Sequence, residues 1–137
     1  MRPLTQAFTT TLTLIFSAAA ALAAELVMVE QEGCYWCKKW NAEIGDIYPK
    51  TEEARRAPLR RVNLRALPDD ITFTSRPIYT PTFVLVEDGQ ELGRLEGYPG
   101  ADFFWPMLDA LLDQHLPPEP LPSAAIEPAA DATTPQL

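Results

Sequence analysis

Cys34-Tyr35-Trp36-Cys37 places the chain's two cysteines three residues apart, and such a pair is open to three chemistries: a structural disulfide, a pair of metal ligands, or a redox couple. As a staple it is weak. Closing a loop of four residues removes only about 1.9 kcal/mol of unfolded-state freedom on the chain-entropy model, against about 4.7 for a 100-residue loop. As metal ligands the pair needs two further donors. There is no second cysteine pair, and the one histidine is remote, at His115, so a zinc site would have to be shared between two copies. The redox reading has positive physics. Gly33 frees the backbone for a sharp turn. A cysteine opening a helix there faces unpaired N–H groups and the positive end of the helix dipole, both of which favour thiolate. Cys34 is then the exposed nucleophile. Cys37, one turn along on the same side, resolves the mixed disulfide. Lys38 and Lys39 add positive charge nearby, and Glu30 and Glu32 oppose it.

Tyr35 and Trp36 fall in the first helical turn, where they either offer a partner an apolar platform or pack on a neighbouring loop. Trp40 is expected in the core. Arg55, Arg56, Arg60, Arg61 and Arg65 form a local basic cluster, read first as a charged, solvated strand edge and second as a docking site for an acidic partner. His115 belongs at a helix C-terminus, where a cation is welcome. Gly97-Tyr98-Pro99-Gly100 reads as a turn that sets the last helix.

The elements that must position these residues follow from patterning. Glu25–Glu30 (ELVMVE) reads as a buried strand. The helix opening at Cys34 should bury Cys37, Trp40, Ile44 and Ile47 and stop at Pro49. Leu59–Leu64 reads as a second strand, with Leu59, Val62 and Leu64 inward. Pro68, Pro77 and Pro81 leave room for at most one short helix between Arg65 and Thr80. Thr82–Glu87 and Glu91–Leu95 flank Asp88-Gly89, a hairpin signal. Asp102 can cap a last helix to about His115, burying Phe103, Met107, Leu108, Leu111 and Leu112. The first two strands can pair in parallel and the hairpin adds antiparallel strands, giving an α/β sandwich on a mixed sheet.

The ends read differently. Residues 1–24 have the plan of a secretory signal peptide: Arg2, an apolar centre with Leu12, Leu14, Ile15 and Phe16, and small residues from Ala18 to Ala24. Cleavage is expected after Ala23 or Ala24, a retained anchor being the alternative. Residues 117–137 are rich in Pro and Ala without apolar periodicity, and are read as a disordered tail or a short extended linker. The domain is thus 25–116. Over 137 residues, 19 acidic side chains face 11 basic ones, for a net charge of -8. That balance excludes nucleic acid as a partner, since phosphate binding needs a basic face.

A strand, then Gly-Cys-x-x-Cys-Lys opening a helix, then Thr80-Pro81-Thr82 leading into a strand resembles the thioredoxin superfamily, over roughly Glu25 to Leu116. The stretches LVMVEQEGCYWCKKW, PLRRVNLRAL and YTPTFVLVEDGQELGRLEGYPG are similar, more narrowly, to SoxS-type proteins of bacterial sulfur-oxidation systems. The resemblance implies a thioredoxin-like sandwich with a central mixed sheet of about four strands flanked by helices, the middle helix shortened to the Pro68–Arg76 stretch. It implies a cis Pro81 against the cysteine pair, with Thr80 backbone groups pairing with an incoming peptide. Cys34 and Cys37 are then catalytic, Tyr35, Trp36, Thr80 and Pro81 contact the substrate, and the Gly97–Gly100 turn borders the site, which makes Tyr98 a further contact candidate. The implied function is that of a periplasmic thiol–disulfide oxidoreductase, acting as a monomer without a cofactor. It would reduce a partner protein's cysteine, such as that of a sulfur-carrier complex, with a membrane thiol transporter as electron donor. A disulfide-forming oxidase and a non-catalytic adaptor are the alternatives. Two departures stand out: Met28 occupies the place of the buried acid on the strand before the motif, and the motif's interior is Tyr-Trp.

Overall fold

The computed structural model describes residues 24–117. The expected export signal and C-terminal tail lie outside the described residues, apart from Ala24 and Pro117. Within them the order is β1 (Glu25–Glu30), α1 (Tyr35–Trp40), a π-turn (Asn41–Gly45), a 3-10 turn (Tyr48–Lys50), α2 (Glu52–Arg56), β2 (Leu59–Asn63), β3 (Thr82–Glu87), β4 (Gln90–Glu96) and α3 (Ala101–His115). The strands form one sheet in the order β2-β1-β3-β4. β1 runs parallel to β2 and antiparallel to β3, and β3 pairs antiparallel with β4. This is the expected mixed four-stranded sheet flanked by helices.

β1 and β3 are the central strands, and both are apolar almost end to end because both faces are covered. Leu26 and Met28 point into a cluster with Trp40, Tyr48, Phe83, Phe104 and Leu108. Val27 and Val29 point the other way, to Ile71, Val84 and Val86. On the first side, Phe83 and Phe104 meet at 4.9 Å, and Trp40 lies 5.3 Å from Phe83, centroid to centroid. In β2, Leu59 joins the first cluster and Val62 the second, which Leu64, just past the strand's end, also joins. All three pack as expected, but on opposite faces.

The cover of the second face differs from expectation. The Pro68–Arg76 stretch holds no helix; between Arg65 and Thr80 the chain forms turns and isolated bridges. Three prolines near this segment deny it a continuous hydrogen-bonded run. It is anchored instead along the hairpin: the Thr72 N–H donates to the Gly89 carbonyl (2.7 Å), the Glu91 N–H donates to the Thr72 carbonyl (3.1 Å), and Ile71 plugs the cluster. The hairpin turn forms as read, with positive φ at both Asp88 and Gly89, the conformation a two-residue primed turn demands. A Cβ on Gly89 would also meet the Asp70 carbonyl oxygen at 2.7 Å.

Four helical expectations are corrected. Ile47 is exposed and Tyr48 is buried in its place: the π-turn takes more residues per turn, so the buried face moves on by one. Helical bonding ends at Gly45 rather than at Pro49, which sits inside the 3-10 turn. Gly100, not Asp102, caps α3, with Asp102 in its first turn. Phe103 and Met107 are exposed, whereas Phe104, Leu108, Leu111 and Leu112 are buried. The row through 104, 108, 112 and 116 stays apolar along the whole helix, while the row through 103, 107, 110 and 114 ends in Ala110 and Gln114.

Candidate active site

The register brings three loops to one end of the sheet. Val29 of β1 pairs with Thr82, and Thr82 pairs with Glu96. The chain therefore leaves β1, enters β3 and leaves β4 side by side. The first of these loops carries the cysteines, the second Thr80-Pro81, and the third Gly97–Gly100.

After β1, Gly33 takes φ 81 and Cys34 becomes the N-cap of α1, its N–H donating to the Gln31 carbonyl at 3.3 Å. Cys34 and Cys37 form a disulfide, with Cα atoms 5.3 Å apart. The two sulfurs have different surroundings. Cys37 is only 3% exposed and belongs to the apolar cluster, whereas Cys34 is half-buried at its margin. The Cys37 backbone N–H donates to Cys34 Sγ at 3.1 Å, a bond that stabilises negative charge on that sulfur once the disulfide opens. Met28 is fully buried in the cluster that holds Cys37. Thr82 is the one buried polar residue among the described residues, so no buried carboxylate accompanies the pair. Glu30 does not fill that role, because its carboxylate takes the Arg61 guanidinium at 2.9 Å.

Tyr35 and Trp36 stand outside the core, 68% and 48% exposed, with their rings edge to face at 5.1 Å. The Lys39 ammonium lies 5.5 Å from the centre of the Trp36 ring. The Thr80–Pro81 peptide bond is cis. Pro81 is buried and Thr80 half-buried, and the Pro81 carbonyl accepts the Gly97 N–H at 2.8 Å. Ile78 and Tyr79, which the sequence reading did not single out, are exposed immediately before them. Two large apolar residues next to a Thr-Pro were a usable signal.

Other candidates sort by contact. Trp40 is core. Tyr98, expected as a surface contact, is 5% exposed, and its hydroxyl donates to Glu43 Oε2 at 2.6 Å. Burial first, and the Glu43 carboxylate second, push this phenol well above the ordinary tyrosine range. The basic cluster is spent largely within the molecule. Arg55 pairs with Glu52, Arg56 with Asp113, Arg60 with Glu25 and Asp70, and Arg61 with Glu30. These four arginines brace strand and helix edges, which favours the reading as a charged edge, while Arg65 pairs with no carboxylate among the described residues. Among the described residues no three of His, Cys, Asp and Glu are grouped to hold a metal ion.

A half-exposed sulfur at helix N–H groups, backed by a buried second sulfur, can carry out thiol–disulfide exchange. No family model and no curated protein matches the chain. Among solved structures it is similar to the periplasmic thioredoxin SoxS from Paracoccus pantotrophus in its reduced form, at 50% identity, with a TM-score of 0.64, over 66% of this chain and 97% of that one. It is also similar in fold to thioredoxin f2 of Chlamydomonas reinhardtii, at 18% identity and a TM-score of 0.50, over 74% of this chain and 86% of that one.

Proposed function

The chain belongs to the thioredoxin family, as a relative of the SoxS proteins, and from that premise we propose that this thiol–disulfide oxidoreductase works in the periplasm as a reductase of a partner protein's cysteine. The observation that carries the reading is the asymmetry of the pair: Cys34 is reachable and supplied with an N–H donor, while Cys37 is buried behind it. In the proposed cycle the Cys34 thiolate attacks the partner's disulfide, forming a mixed disulfide and releasing the partner's other sulfur as a thiol. Cys37 then attacks Cys34 Sγ, which frees the second partner thiol and leaves the Cys34–Cys37 disulfide. Two electrons pass to the partner, and a membrane thiol transporter returns them. With a persulfide on the partner, the same two steps release hydrosulfide. A sulfur-carrier complex is the partner that kinship with SoxS suggests.

Tyr35, Trp36, Thr80 and Pro81 are the proposed contacts, and the exposure of Ile78 and Tyr79 extends the same apolar rim. An incoming extended segment would pair with the backbone at Thr80. Export by a signal over residues 1–24, cleaved after Ala23 or Ala24, is part of the proposal. Mass spectrometry of the exported protein checks it, since a chain still beginning at Met1 would contradict cleavage.

Two experiments test the function. Cys37→Ser, with Cys34 intact, should accumulate a mixed disulfide with the partner, while Cys34→Ser should trap nothing and lose activity. Retained activity in Cys34→Ser would instead identify an adaptor. The reduction potential of the pair, measured against a dithiothreitol series, should lie near that of thioredoxin, about -270 mV. A value near -120 mV would make the protein a donor of disulfides.

A further inference from the structure

A string of side-chain contacts leaves the cysteine-bearing helix and ends at the cis-proline loop. Lys39 lies over the Trp36 ring at 5.5 Å, and its ammonium stands 3.9 Å from Glu43 Oε1. The other oxygen of Glu43 accepts the Tyr98 hydroxyl at 2.6 Å. Tyr98 follows Gly97, whose N–H donates to the Pro81 carbonyl at 2.8 Å. Both carboxylate oxygens of Glu43 are thus engaged, one toward Trp36 and one toward Pro81.

Glu43 lies in the π-turn that closes the cysteine-bearing helical run. Wide turns of this kind inside helices recur at functional sites because they re-aim side chains that a regular helix would place elsewhere. The Tyr98 ring is fixed independently by Phe104, at 5.8 Å edge to face. The hydroxyl bond therefore does not hold the ring in the core; it ties the loop to the helix. The raised phenol range keeps Tyr98 a donor throughout the neutral range.

We infer that Glu43 is a positioning residue for the thiol–disulfide reaction: through Tyr98 and Gly97 it holds the Pro81 segment against the cysteine-bearing helix, and through Lys39 it holds the Trp36 ring. The two sides of the partner's docking surface then form one rigid frame. The inference rests on the oxidoreductase reading above and adds to it a residue that touches neither sulfur nor substrate.

The test uses the full mature protein with insulin as the protein disulfide, dithiothreitol as the donor, and dithiobis(nitrobenzoate) as a small disulfide that needs no docking surface. Glu43→Gln removes the charge facing Lys39, and Tyr98→Phe removes the hydroxyl while keeping the ring against Phe104. Each should raise KM for insulin about fivefold, as loss of a hydrogen bond to a charged acceptor allows. The reaction of reduced Cys34 with dithiobis(nitrobenzoate) and the pair's potential should stay at the wild-type values. The double variant should raise KM by less than the product of the two single effects, because both substitutions act on the same Glu43–Tyr98 bond. Unchanged KM values, or an equal fall in the small-disulfide rate, would overturn the inference. Whether the wild-type protein reduces insulin at all tests the function separately. If it does not, acrylamide quenching of Trp36, taken as a difference from Trp36→Phe, decides the role of Glu43. Stronger quenching in Glu43→Gln supports the tie, and an unchanged constant refutes it.

Discussion

Cys34 and Cys37 are chemically identical residues made unequal by a single turn of helix. Cys34, as N-cap, keeps an N–H donor at its sulfur, while Cys37 lies among apolar side chains. The consequence falls on the second step of exchange, since a thiol in apolar surroundings gives up its proton reluctantly. Met28, fully buried in the same cluster, offers no proton acceptor there. An aspartate there would lie in a largely apolar cluster, and its carboxyl would stay protonated well above the usual range. Met28→Asp is expected to cost about 3 kcal/mol or more in urea unfolding of the oxidised protein, and to add a proton-linked step to the potential's dependence on pH. An unmoved urea midpoint would show that water reaches position 28. The cysteine pair can be read from the sequence by its local spacing, and Met28 only through the resemblance to thioredoxins. Glu43 cannot: its partner Tyr98 is 55 positions away, and no periodicity announces such a contact.

Elements are legible where one pattern has one solution. β1, β3 and the Asp88-Gly89 turn form at the expected residues, because an apolar run between charged ends, or a turn demanding two positive φ values, admits few alternatives. α3 carries two parallel apolar rows, and the sequence reading mixed them. The short α2 was missed, although Thr51 caps it through the Ala54 N–H and its charges run acidic to basic along the dipole. α2 meets α3 through a carboxyl pair, Glu53 and Asp109. Burial first, and Glu53 second, raise Asp109 above the ordinary aspartate range, with Arg56 partly opposing them. A carboxyl raised in the folded state favours folding in acid, and that advantage is lost as pH rises through its folded value. At neutral pH the pair is therefore a net cost. Asp109→Asn should raise the melting temperature at pH 7 by about 2 °C, discounted for partial exposure, and leave it unchanged near pH 3. A gain of equal size at both pH values would remove the carboxyl pair as its cause.

For the whole molecule, residues 24–117 contain sixteen acidic and ten basic side chains, and the arginine cluster is largely occupied with carboxylates of its own chain. The surface met by an approaching disulfide is therefore negative on balance. Cystamine, a cationic disulfide, should oxidise the reduced pair several-fold faster than anionic glutathione disulfide at low salt, and the gap should close as ionic strength passes about 0.15 M. A ratio that favours glutathione disulfide at low salt would place Lys38 and Lys39, rather than the overall field, in control of approach. A salt-independent ratio would exclude electrostatic steering. The same compactness has a practical side at the far end of the sheet. Hairpin tips are the usual choice for grafting an epitope or a fluorophore-binding peptide. Here the Gly89 carbonyl is taken by Thr72 and its Cα lies against the Asp70 backbone. A graft at this tip would pry off the segment that, among the described residues, covers the sheet's second face, so reporter tags belong elsewhere on the chain.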